Sequence, residues 1–176
     1  AKGLNSTMSE MFYQCKKFNN GGEPMNSFDV EGVEKLRFAF RNCFEFNSDV
    51  TAWDVSKCNN MVGLFSACRA FNQNIGGWDV KNVTNMAESL RECESFDQNL
   101  GAWNVSNVTD MHGMFAYGGA DGFNNGGSDS IKNWDTGKVK NFGYMLSETP
   151  FNQPIGSWDT GGHRSHNDFY EMFAYS

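Results

Sequence analysis

Tryptophan recurs at Trp53, Trp78, Trp103, Trp134 and Trp158, with spacings of 25, 25, 31 and 24 residues. A period of this size restricts the chain to folds in which one small unit stacks on the next, because a unit of that length cannot bury an apolar face alone. Phe28 holds the tryptophan place one unit earlier, and a second aromatic keeps step at Phe18, Phe46, Phe71, Phe96, Phe123 and Phe151. Six units and a partial seventh are visible. Residues 1–176 are therefore read as one repeat domain.

Each unit divides into two patterned stretches. Ile75, Trp78 and Val80 are spaced as in the first part of a leucine-rich repeat, where a short strand turns alternate residues inward. The second stretch has apolar residues at i, i+3, i+4 and i+7: Met8, Met11, Phe12 and Cys15; Leu36, Ala39, Phe40 and Cys43; Met61, Leu64, Phe65 and Cys68. This spacing predicts a helix of about two turns with one apolar stripe. Thr84 and Thr109 read as its N-caps, with Asp110 in the first turn. So short a helix is unstable alone and must be held by its neighbours.

The segments Trp78-Asp-Val-Lys-Asn-Val-Thr-Asn-Met86 and Trp103-Asn-Val-Ser-Asn-Val-Thr-Asp-Met-His-Gly-Met-Phe115, joined by Phe96-Asp-Gln-Asn-Leu-Gly101, resemble the repeat of BspA-like bacterial surface proteins and mycoplasma lipoproteins. The resemblance covers nearly the whole chain. It implies an α/β repeat fold, a leucine-rich-repeat-like right-handed solenoid with a short strand and a short helix per unit and about six to seven coils. It also implies a place at the cell surface and a role in attachment. Folds of this kind serve many functions, so the fold transfers better than the role.

Charge and composition exclude some classes. A net charge of −7 argues against nucleic acid, whose binders carry basic patches. No apolar run approaches the ~20 residues of a membrane-spanning helix. Of five cysteines, Cys15, Cys43, Cys68 and Cys93 share one register on the apolar stripe, and Cys58 stands where other units have Val83 and Val108. No metal-ligand spacing is present, so these read as a ladder of small buried groups. Asp29, Asp54, Asp79, Asp135 and Asp159, with Asn104 among them, follow the aromatic in every unit. Two readings stand for that row, a line of calcium ligands or side chains bonding nearby backbone amides. His112, His163 and His166 have no nucleophile beside them. No cofactor, metal or catalytic residue is expected, and the chain is not read as an enzyme. Sequons occur at Asn5, Asn82, Asn104 and Asn107, which a eukaryotic secretory route would make glycan acceptors.

Departures from the period point to a working surface. Additional residues fall in the same loop of two units, at Asn20, Gly21, Gly22, Glu23 and Pro24 and again at Asn124, Asn125, Gly126, Gly127, Ser128 and Asp129. A further pair enters between Tyr117 and Gly122. Insertions at one edge of a repeat protein often form its binding face, so the two loops are the candidate contact residues for a protein or glycan partner. Leu4 to Phe12 begin midway through a unit, and Phe169 to Phe173 open another. The native chain is accordingly expected to be longer, or its ends to be covered by further repeats or other subunits. Two functions remain open: a non-catalytic surface binding or adhesion module, and a structural subunit of a larger assembly.

Overall fold

In the computed structural model, residues 7–160 and 169–176 are described. Among them there is no α-helix and no extended strand, which overturns the expected α/β leucine-rich-repeat-like solenoid. Among the described residues the named regular elements are three short 3-10 turns, Asn20–Gly22, Asn125–Gly127 and Asp129–Asn133. Single parallel bridges run through Thr7, Lys35, Asn60, Asn85, Asp110 and Asn141, joining each unit to the next. The units do stack in register, but they are built from turns.

The stretch expected to be helical shows why. Backbone φ is positive at Gly63 and Ala67, and equally at Phe38 and Asn42, Glu88 and Glu92, and Gly113 and Tyr117. A right-handed helix cannot continue through such residues. Leu64, Ser66 and Cys68 donate their amides three residues back, to Met61, Gly63 and Phe65. Met61, Gly63, Phe65 and Ala67 donate instead to the carbonyls of Asn85, Ala87, Ser89 and Arg91 in the following coil, at 2.7–3.0 Å. The backbone repeats every four residues, so side chains at i and i+4 return to one face much as they would on a helix. Met61, Leu64, Phe65 and Cys68 are all buried. Each left-handed residue other than glycine costs about 1–2 kcal/mol, and the inter-coil bonds offset this by pairing amides that would otherwise be buried unmet.

Side chains form columns down the stack. Phe46, Phe71, Phe96, Phe123 and Phe151 lie face to face with ring centres 5.8–6.2 Å apart. Trp53 stacks on Trp78 at 6.3 Å and Trp134 on Trp158 at 5.8 Å, and all five tryptophans are buried. Every indole N–H donates to a carbonyl of the preceding coil, from Trp53 to Met25, Trp78 to Val50, Trp103 to Ile75, Trp134 to Leu100 and Trp158 to Ile131. A tryptophan can be buried in this way only because its polar edge has a fixed acceptor.

Thiols follow the same rule. Cys43, Cys68 and Cys93 are buried and donate to the carbonyls of Phe12, Phe40 and Phe65. Cys58 is buried as well, while Cys15 is exposed, and all five are free thiols. Thr84 and Thr109 do not cap helices; their hydroxyls donate to the carbonyls of Asn59 and Thr84 one coil back. Along one edge runs an asparagine ladder. The amides of Asn47, Asn72, Asp97, Asn124 and Asn152 donate to the side-chain oxygens of Asn19, Asn47, Asn72, Asp97 and Asn124 respectively.

Candidate functional site

The two insertions fold alike. Each follows a ladder residue, Asn19 or Asn124, and makes a short 3-10 turn whose central glycine, Gly21 or Gly126, has positive φ. Asn20 and Asn125 play the same part: their amide groups donate to the carbonyls of Glu23 and Ser128, closing each loop on itself. Both loops therefore stand on the asparagine-ladder edge, four ring-to-ring steps apart.

The second loop is locked more firmly into the stack. Asn125 is fully buried, and its side-chain oxygen accepts from the buried amide of Leu100. Asp97 accepts from the amides of both Asn124 and Gly126. Ser130 donates to Asn99 of the preceding coil. These bonds leave Gly126, Gly127 and Asp129 exposed at the tip, as Asn20, Gly21, Gly22 and Glu23 are in the first loop. Beside Ser130 lies a shallow hollow of about 500 Å³, lined by Asn74, Gly76, Gly77, Asn99, Gly101 and Ala102.

The aspartate row resolves into backbone chemistry. Asp29, Asp54, Asp79 and Asp135, with Asn104, each accept from the amide two residues on, at Glu31, Ser56, Lys81, Gly137 and Ser106. Hydrogen bonds from Ser56 hold the Asp54 carboxyl below its usual range, and those from Lys81 do the same for Asp79. Among the described residues no three His, Cys, Asp or Glu side chains gather as a metal site. His163, His166 and the sequon residue Asn5 lie outside the described residues. Of the other sequons, Asn82 and Asn107 spend their amide groups on the carbonyls of Ser56 and Lys81 in the preceding coil. Asn104 is exposed and engages its side-chain oxygen with Ser106.

A third feature had no signal in the repeat pattern. On the outer face of the turn segment, Glu88, Arg91, His112, Gly113, Ala116, Tyr117 and Tyr144 line a cavity of about 220 Å³. The residues come from three successive coils. Only glycines at the left-handed position hinted at it, and they had no role in a helical reading.

These observations define a repeat protein of turn-built coils, with polar ladders on one edge and a notched face on the turn segment. Its sequence matches the family model described as "Mycoplasma protein of unknown function, DUF285" over residues 6–129 and 117–176. The chain belongs to this family. No curated protein and no solved structure matches it. Among the described residues no helix is long and apolar enough to cross a membrane.

Proposed function

We propose that this chain is a non-catalytic binding module of the cell surface, related to the BspA-like repeats, and that it holds a protein partner through the edge carrying the two insertions. The observation that carries this reading is that two loops of one conformation are set on the same ladder, with their tips left exposed. Asn125 and Asp97 hold the second loop rigidly, and a loop fixed before binding loses little entropy on contact. The neighbouring hollow at Gly76 and Gly101 adds a shallow surface on the same side. A structural subunit of a larger assembly is the second reading.

Burial pushes the Cys43 thiol up to about 12 and Cys58 up to about 11, which suits their place as packed core groups. The test uses native co-purification to identify a partner, followed by affinity measurement with that partner purified. Reversing charge at the tips, with Glu23→Lys and Asp129→Lys together, should weaken binding while leaving the melting temperature unchanged. Unchanged affinity would move the site off this edge.

A further inference from the structure

The position of Gly113 recurs along the described coils as Glu10, Phe38, Gly63, Glu88, Gly113, Tyr144 and Glu171, with φ between 48° and 60°. Two of these seven are glycine, and each glycine opens a notch between the side chains of its neighbours. The notch at Gly63 is filled from within the chain. The Phe38 ring lies directly over it, so that a Cβ on Gly63 would stand 2.6 Å from Cε1 of Phe38 and closer still to Cδ1. Arg37 and Arg41 flank that ring, with guanidinium groups 5.4 and 5.1 Å from its centre. Arg41 then crosses the whole Gly63 coil to meet Glu88 at 3.4 Å, a reach that the small Gly63, Ser66 and Ala67 permit.

Two coils on, the same geometry lacks its ring. The residue placed over Gly113 is Glu88, whose Cγ would be 3.8 Å from an added Cβ, with Ala116 at 3.9 Å. What remains is the 220 Å³ cavity. Its walls suit an aromatic ring. The Arg91 guanidinium lies 4.7 Å from the Tyr117 ring centre, as the arginines do around Phe38. His112 meets Tyr144 edge-on at 5.6 Å, and Gly143 lets that imidazole approach, since a Cβ there would be 3.1 Å from Nδ1. Ring edges and a guanidinium are the groups that pack favourably on a further aromatic side chain. Size narrows the ligand as well. A cavity of about 150 Å³ accepts benzene, whereas sites for whole small molecules begin near 300 Å³.

We propose that the notch at Gly113 is a socket for a single aromatic side chain presented by a protein partner, filled in the complex as Phe38 fills the notch at Gly63. The socket is a separate surface from the insertion edge and stands or falls independently of it. Glu88 and Arg91 supply one charge of each sign, so recognition rests on the ring and its packing more than on net charge.

The test is a titration of the intact chain, followed by amide NMR, with N-acetyl-phenylalaninamide, N-acetyl-leucinamide and methyl β-glucoside as probes. The phenylalanine probe should shift the Gly113, Ala116 and Tyr117 signals saturably, and the leucine probe should bind about tenfold more weakly. Glu88→Phe places a ring where Phe38 has one, at the same backbone conformation, and should abolish the response. Tyr117→Ala removes one ring from the walls, at a backbone position that Ala67 already holds two coils earlier, and should weaken the phenylalanine response at Gly113 and Ala116 severalfold. It keeps the proposal testable if Glu88→Phe fails to fold. Absence of shifts at Gly113, their survival in a folded Glu88→Phe variant, or an undiminished response in Tyr117→Ala would overturn the proposal. A glucoside response matching the aromatic one would reassign the notch to glycans and overturn it too.

Discussion

Gly63 and Gly113 offer a matched pair in which backbone strain and steric contact separate. Their φ values are 58° and 56°. An alanine at either site suffers the same left-handed strain, about 1–2 kcal/mol, and gains the same unfolded-state benefit of about 0.4–1 kcal/mol. Gly113→Ala should therefore cost on the order of 1 kcal/mol, because its methyl meets only ordinary contacts near 3.8 Å. In Gly63→Ala the methyl overlaps the Phe38 ring, and displacing that ring adds an overpacking cost of about 1–3 kcal/mol. Urea unfolding at neutral pH, followed by fluorescence of the five tryptophans, measures both. Gly63→Ala should lose about 1–3 kcal/mol more than Gly113→Ala, and the excess should vanish in a Phe38→Ala background. Equal losses in the two variants, or an excess that persists without the Phe38 ring, would refute the claim that this ring fills the Gly63 notch.

Two other outcomes test the scaffold. Asn125→Ala leaves the buried amide of Leu100 without its acceptor and should cost about 1–3 kcal/mol, whereas Asn20→Ala, in an exposed loop, should cost well under half as much; equal losses in urea melts would contradict the difference in anchoring. Stability should also fall in alkali. The Cys58 thiol, at about 11 in the fold against 9.0 ordinarily, favours the folded state fully below pH about 9, and that contribution is lost as pH rises through the folded value. Cys58→Val supplies the residue that Val83 and Val108 already place there, so its urea midpoint should drop less than wild type between about pH 8 and about pH 10.5. Parallel drops would count against the burial of this thiol.

The inward set of residues was legible because it depends on which face a side chain occupies. Trp78, Phe71, Met61, Leu64, Phe65 and Cys68 all lie in the core that their spacing predicts, whereas Met11 and Cys15, on a stripe of the same spacing, are exposed. The backbone beneath them was not legible from that spacing. Apolar residues at i, i+3, i+4 and i+7 fit a 3.6-residue helix and a four-residue succession of turns almost equally well over two turns. What separates the two is where the amides go, and at Met61 and Phe65 they go to another coil. Gly63 and Gly113 were the only local sign, since glycine inside a helix is unfavourable, and Ala67, Glu88 and Glu92 hold the same conformation without advertising it. The insertion loops were legible as breaks in the period. That Asn125 is a buried anchor, with no free surface for a partner, was hidden, because its role depends on Leu100 one coil away.

The bonds between coils also give the stack a direction. Throughout the turn segment the N–H groups of one coil point to the carbonyls of the next, as from Met61 to Asn85 and from Met86 to Asp110. Elsewhere in the coil the donation runs the other way, from the Thr84 and Thr109 amides, the indoles and the ladder amides to the preceding coil, so the two faces of a coil carry different patterns and one cannot pair with its own kind. Any further coil, from the same chain or from another molecule, can extend this bonding in only one orientation, head to tail. Growth by that route has no two-fold axis on which to close, so it is open-ended by symmetry. A family built on this unit can vary its length one coil at a time without altering the faces on which its loops and notches stand.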